Sequence, residues 1–284
     1  MNKKQQLFFH IHLVSDATGE TLDTVARATT ACYKDHEAIQ HAYSLVRTSK
    51  QLERVLLEIE KQPGIVLYTM IDETLRRELE TQCKKIGVPT VSILDPVITT
   101  LANYLNVESQ PIIGGQHDLN ADYFRRIDAL NYTLIHDDGQ HVDDLENADI
   151  ILIGISRTSK TPTSFYLANR GVKVANIPLM PEILIPPQLE KVKNPLVVGL
   201  IASTQRIAQI RQHRLETLNE HTATQYIDKA AITRELNDMK KLCSRNNWPV
   251  LDVTRRSIEE TAAAILNLFN EKKNQAQQDE IFNV

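Results

Sequence analysis

Residues 149–164 read DIILIGISRTSKTPTS, and no other stretch limits the possible folds so sharply. Ile150-Ile151-Leu152-Ile153 is a short, mostly β-branched apolar run. Such a run reads as a strand buried on both faces, which calls for a parallel sheet covered by helices. Gly154 ends the strand, and Ile155-Ser156-Arg157-Thr158-Ser159 continues as a polar loop before Lys160-Thr161. A helix is expected over 163–170, with Pro162 acceptable in its first turn. Strand, loop and helix in this order make a phosphate cradle. Loop N–H groups point inward, the helix N-terminus adds positive partial charge, and a lysine neutralises phosphate oxygens.

The pattern G-x-x-x-x-G-K-[ST] is met by Gly154 through Thr161, except that Ser159 stands where the second glycine belongs. Serine has a Cβ, so a positive φ is costlier there than for glycine. A related loop with a backbone path of its own is therefore expected. The candidate nucleotide-binding residues are Gly154, Ile155, Ser156, Arg157, Thr158, Ser159, Lys160 and Thr161. Lys160 would neutralise the phosphates, and the Thr161 hydroxyl is the candidate Mg²⁺ ligand. The competing reading is a plain strand-to-helix turn with surface cations.

Composition narrows the function. A net charge of −4 offers no basic field for nucleic acid. No apolar run approaches the length of a membrane span, and no signal-peptide core follows the polar start. Cys32, Cys83 and Cys243 are scattered, which suits reduced thiols in a cytoplasmic protein and not a disulfide frame or zinc site. At 284 residues the chain has room for two ordinary domains.

Strands and helices alternate through the first half. Strands are expected at 7–14, 42–46, 64–70 and 91–94, and helices at 21–33, 49–60, 73–86 and from Asp95-Pro96. This alternation predicts an N-terminal parallel βα domain. The turn Ser15-Asp16-Ala17-Thr18-Gly19-Glu20, leading to Thr21, follows the first strand, where open α/β sheets bind ligands. It reads as a second anion site or as ordinary helix capping. Pro111, Gly114 and Gly115 interrupt the pattern, placing the domain boundary near Glu108, with domains 1–108 and 109–284.

In the second half a helix is expected over 121–130 and a short strand over 132–135. That strand would deliver His136-Asp137-Asp138-Gly139 into a turn. Either carboxylate is a candidate to hold Mg²⁺ or to accept a hydroxyl proton. A solvated Asp-Gly turn is the bland alternative. Further strands are expected at 172–175, 196–201 and 248–253, and helices at 204–218, 229–246 and 258–269. The five prolines within 176–195 suggest an extended loop over the sheet. Arg206, Arg211 and Arg214 read as a phosphate or partner surface, or as a solvated face paired with Glu216. Arg255 and Arg256, at a strand end, are candidates to meet phosphate. Ser257 and Glu260 form a capping box. The end, 271–284, reads as low in structure.

HLVSDATGETL, ALNYTLIHDDGQ, GISRTSKTPTS and DVTRRSIEETAAAIL together resemble the pyruvate, phosphate dikinase regulatory proteins, over roughly 8–269. With the alternation and the Gly154–Thr161 loop, the expected fold is an N-terminal α/β domain followed by a P-loop-containing, kinase-like α/β domain, and the resemblance adds an activity to it. The resemblance implies two reactions. ADP donates its β-phosphoryl group to a threonine of a dikinase whose catalytic histidine is already phosphorylated. Inorganic phosphate later removes that group as pyrophosphate. A sister branch acts on phosphoenolpyruvate synthase and carries cysteine and glycine where this chain has Thr158 and Ser159. The implied cofactors are ADP, inorganic phosphate and Mg²⁺, and the implied partner is the dikinase. The catalytic candidates are Lys160, Asp137, Asp138 and Arg157. A phosphoenolpyruvate synthase regulator, a small-metabolite kinase, a non-catalytic ADP sensor and a scaffold are the alternatives. The oligomeric state stays open, a homodimer among the options.

Overall fold

Among the described residues, eight strands form two sheets, and every strand pairing is parallel. The structure is a computed structural model that describes residues 7–109, 121–180, 185–217 and 224–282. The chain divides into two units, Met1–Asp118 and Leu119–Val284. Most of the expected interruption at 106–120 lies outside the described residues.

The first unit runs β1 (Leu7–Ser15), α1 (Glu20–Thr30), β2 (His36–Tyr43), α2 (Ser49–Lys61), β3 (Gly64–Thr69), α3 (Glu73–Lys85), β4 (Thr90–Ser92) and α4 (Asp95–Leu105). The sheet order is β2-β1-β3-β4. Period-two alternation divides its core. Val14, Val66 and Tyr68 pack with Leu52, Val55 and Ile59 of α2 and Leu75, Leu79 and Cys83 of α3. Ile11, Leu13 and Leu67 pack on the other face with Leu22 and Ala26 of α1. Thr48 and Asp72 cap α2 and α3 through their side-chain oxygens.

The second unit runs α5 (Ala121–Ile135), β5 (Ile150–Gly154), α6 (Lys160–Ala168), β6 (Val174–Pro178), β7 (Leu196–Ile201), α7 (Thr204–Thr217), α8 (Thr224–Ile227), α9 (Lys229–Arg245), β8 (Val250–Asp252) and α10 (Ile258–Phe282). Its sheet order, β6-β5-β7-β8, repeats the connectivity of the first. In both units the chain leaves the two central strands in opposite directions. That creates the crevice at the strand ends where open α/β sheets bind ligands. Here the crevice lies beyond β5 and β7. All five residues of β5 are buried, as its apolar run requires.

Several boundaries differ from the sequence reading. The second strand is His36–Tyr43, not 42–46; its mostly exposed, polar composition hid it. Residues 132–135 are no strand. They complete α5, where Ala129, Tyr132 and Thr133 are buried at helical spacing. β6 extends to Pro178, so the first residues of the proline-rich segment belong to the sheet; no regular helix occurs over 185–195. Residues 271–282 continue α10, because Glu, Lys, Gln and Ala favour helix. The capping box at its start is reciprocal: Glu260 N–H donates to Ser257 Oγ at 3.1 Å, and Ser257 N–H donates to Glu260 Oε2 at 2.9 Å.

Candidate functional site

The site is built at the end of β5. Gly154 must be glycine because an added Cβ would lie 2.7 Å from the Leu200 carbonyl oxygen and 2.7 Å from Thr158 Oγ1. Gly154→Ala is therefore expected to destabilise the second unit by about 1–3 kcal/mol through overpacking. Urea unfolding checks this; an unchanged midpoint would show that the strand end is not held as tightly as these contacts require.

Beyond Gly154 the loop turns on two residues with positive φ, Arg157 at 74° and Ser159 at 60°. Ser159 thus takes the left-handed conformation that a glycine would otherwise supply, and it sits directly before α6. Inside the loop, Thr158 is fully buried and its Oγ1 donates to the Ile155 carbonyl at 3.0 Å. Among the described residues, the backbone N–H groups of Ser156, Arg157, Ser159, Lys160 and Thr161 meet no acceptor, while a turn closes from Ile155 to Thr158. A run of unmet N–H groups opening a nine-residue helix is a concave donor surface for an anion.

Lys160 lies across this surface. It is only 7% exposed, and Nζ donates to the Ile155 carbonyl oxygen at 3.1 Å. Burial pulls its pKa down to about 8; Asp138 and Asp137 act against that shift, and Arg157 and Arg211 add to it. An anion bound here would stabilise the ammonium form.

The His136–Gly139 turn approaches from the other side. His136 is buried, stacked on Tyr132 at 3.7 Å, with Nδ1 2.8 Å from the Tyr132 carbonyl oxygen. Asp138 is left-handed at φ 51°, and Gly139 at φ 75° completes the turn. Asp137 Oδ1 accepts from Thr161 Oγ1 at 3.2 Å. It also accepts a short hydrogen bond from Asn176 Nδ2, which in turn donates to Thr161 Oγ1 at 3.0 Å. The β6 edge closes this connection, since Asn176 N–H donates to the His136 carbonyl at 3.0 Å.

The loop is also held from beneath. Arg211 of α7 is 2% exposed and meets Glu235 of α9 through two hydrogen bonds, at 2.7 and 3.1 Å. Its guanidinium also donates to the Ser156 and Tyr226 carbonyl oxygens at 3.4 and 3.0 Å. The Tyr226 hydroxyl lies 3.0 Å from Ser156 Oγ and accepts from Arg157 Nε at 3.3 Å.

The structure therefore brings together the residues 154–161, Asp137 and Asp138. It removes Arg211 from the solvated face proposed for it: Arg211 is buried while Arg214 is exposed, and Glu216 meets Gln212 and His213 instead. Arg255 and Arg256 are exposed after β8, which β7 separates from β5. In the first unit the 15–21 turn uses its polar groups internally. Ser15 Oγ accepts from the Ala17 N–H and the Thr69 hydroxyl, and Asp16 Oδ2 accepts from the Ile71 N–H at 2.6 Å. Asn176, Glu235 and Tyr226 were missed. Only Asn176 left a trace in the sequence, as one amide within the apolar run VANIP.

Residues 11–266 match the family model described as kinase/pyrophosphorylase. The chain belongs to that family. Among curated relatives, a pyruvate, phosphate dikinase regulatory protein from Chelativorans sp. (strain BNC1) is 56% identical over 265 residues, covering 93% of this chain and 97% of that protein. One of the same name from Maricaulis maris (strain MCS10) is 56% identical over 266 residues, covering 94% and 95%. A periplasmic solute-binding protein from Actinobacillus succinogenes with bound D-allose aligns over 92% of both chains, but its TM-score of 0.24 and 13% identity carry no argument. For a kinase/pyrophosphorylase, the site beyond β5 has the parts that phosphoryl chemistry needs: anion donors, a cation and carboxylates. Among the described residues, no helix is long and apolar enough to cross a membrane.

Proposed function

We propose that this chain regulates a pyruvate, phosphate dikinase by two phosphoryl transfers centred on a P-loop at 154–161, in a kinase-like second unit. What most supports this is the unmet N–H groups of Ser156, Arg157, Ser159, Lys160 and Thr161, with the Lys160 ammonium buried at the same loop. The names of relatives at 52–56% identity point to the dikinase as partner. In the kinase direction, the threonine oxygen of the dikinase attacks the β-phosphorus of ADP. The bond from that phosphorus to the bridging oxygen breaks, AMP leaves, and the hydroxyl proton passes to a carboxylate. In the phosphorylase direction, an oxygen of inorganic phosphate attacks the phosphothreonine phosphorus. The bond to the threonine oxygen breaks, pyrophosphate forms, and threonine recovers its proton.

Phosphoryl transfer depends on positioning and charge compensation more than on covalent help. The 156–161 N–H groups orient the ADP phosphates. Lys160 balances charge on the transferring group, and Arg157, exposed at the loop rim, adds charge from the solvent side. Asp137 and Asp138 are the two candidates for the proton.

The residues also suit Mg²⁺. Among the described residues no three His, Cys, Asp or Glu side chains form a cage. Mg²⁺ instead favours one or two protein oxygens together with substrate phosphates and water. The Thr161 hydroxyl and the Asp137 carboxylate are adjacent, and Asn176 Oδ1 is a buried acceptor with no donor. Bound there, Mg²⁺ would offset phosphate charge. The unpaired thiols are consistent with a cytoplasmic setting.

The test incubates the purified chain with phosphohistidine-bearing dikinase and ADP labelled at the β-phosphate. Label on a dikinase threonine, released as pyrophosphate when phosphate is added, is the expected result. Label on phosphoenolpyruvate synthase instead would move the chain to the sister branch. Tight ADP binding with no transfer to either would overturn catalysis and leave a sensor.

A further inference from the structure

We infer that Asn176 is a positioning residue that gives the two carboxylates different tasks: it fixes Asp137 beside Thr161 as the cation-side oxygen pair and leaves Asp138 to meet the acceptor hydroxyl. The inference rests on the phosphoryl-transfer reading above. Asn176 lies in the edge strand β6 and is 1% exposed. Its backbone N–H, pointing out of the sheet, holds the His136 carbonyl, and its side chain holds Asp137 and Thr161. One residue thus joins the His136–Gly139 turn to the start of α6.

The amide can face only one way. A carboxylate is acceptor-only, so Nδ2 must face Asp137. The Oδ1 atom then points elsewhere, buried and without a donor. A buried acceptor left unmet is costly. Asp137 and Thr161 would hold a Mg²⁺ here, and its water ligands would supply donors of the kind Oδ1 lacks.

The carboxylates are placed differently. Asp137 Oδ1 already receives two hydrogen bonds, which fix that carboxylate beside Thr161 and away from solvent-borne acceptors. Asp138 is exposed, and among the described residues its carboxylate accepts no hydrogen bond. Asp138 takes a left-handed backbone and Asp137 does not, so the two acids stand in different backbone conformations. A protein substrate arriving from solvent meets Asp138 first.

The experiment titrates ADP into the full chain by calorimetry over a series of free Mg²⁺ concentrations, with turnover measured in parallel. Asn176→Ala and Asp137→Asn are each expected to raise the Mg²⁺ needed for half-maximal ADP binding about tenfold to a hundredfold, as loss of a supporting or direct oxygen does. ADP affinity without Mg²⁺ should stay close to wild type. Asp138→Asn should keep the wild-type Mg²⁺ dependence while turnover falls about 10²–10⁴-fold, the range for loss of a general base. Asn176 is buried, so Asn176→Ser serves as a smaller lesion should Asn176→Ala unfold, and Asp137→Asn gives the same readout from the turn. Wild-type Mg²⁺ dependence in the Asn176 variants, or a shift in Asp138→Asn instead of Asp137→Asn, overturns the inference alone. A wild-type chain that binds no ADP at any Mg²⁺ concentration overturns the phosphoryl-transfer reading, and the inference with it.

Discussion

Lys160→Met is expected to lose phosphoryl transfer by about 10²–10³-fold, the scale of removing a preorganised charge partner from a developing oxyanion, and yet to be more stable than wild type at pH 7. Both effects come from where the ammonium sits. It is held in a buried position at the start of α6, and burial sets its pKa at about 8 against 10.5 for a free lysine. Keeping that charge in the ligand-free fold therefore costs about 3 kcal/mol. A methionine of similar length avoids the cost but loses the bond to the Ile155 carbonyl, so a net gain of about 1–2 kcal/mol is expected. The sign with pH follows from proton counts. Between about pH 8 and 10.5 the unfolded chain holds a proton on Lys160 that the folded chain has released. Wild-type stability contributed by this group then rises with pH across that window. The advantage of Lys160→Met should be full below pH 8 and shrink as the pH climbs toward 10.5. Urea unfolding of the second unit at pH 7 and pH 10 measures it. A wild type more stable than the variant at pH 7 would mean the ammonium is not strained by burial. A stable site built at a cost is the usual relation between activity and stability.

What the sequence revealed followed from periodicity and from local rules. β5, α2, α3 and β7 were legible because their apolar spacing is decided by short-range geometry. The capping box at Ser257 was legible for the same reason, as a four-residue pattern. The failures are also physical. Residues 132–135 carry Tyr, Thr, Leu and Ile, which favour strand locally, but α5 buries Tyr132 and Thr133 one turn after Ala129. Tertiary burial overrode the local preference. β2 was misplaced because it is an edge strand with mostly exposed side chains, so it lacks the apolar run that marked its neighbours. In the site, the 154–161 loop and the two aspartates were readable as motifs. Their connection through Asn176 was not, because it joins residues 39 positions apart in the chain. Arg211 and Glu235 are likewise 24 apart, and nothing in a helix periodicity marks an arginine as buried.

That buried pair leads to the second large effect. Glu235→Ala is expected to destabilise the second unit by about 3–5 kcal/mol, because it leaves the Arg211 guanidinium charged and unpaired in the interior. The loss should change little between low and high salt, since a pair 2% and 11% exposed is poorly reached by ions. Arg211→Met combined with Glu235→Leu should recover most of that stability, as apolar replacement of a buried pair often does. ADP affinity should not recover. Arg211 also holds the Ser156 carbonyl and stacks on Tyr226, whose hydroxyl meets Ser156 and Arg157. The double variant removes those ties, and the loop that presents the 156–161 N–H groups loses its support. Stability and ADP binding should therefore separate: both fall in Glu235→Ala, and only binding stays low in the double variant. Urea unfolding and calorimetric ADP titration on the same three proteins decide it. If ADP affinity returns together with stability, the pair serves packing alone, and the shape of the phosphate loop does not depend on it.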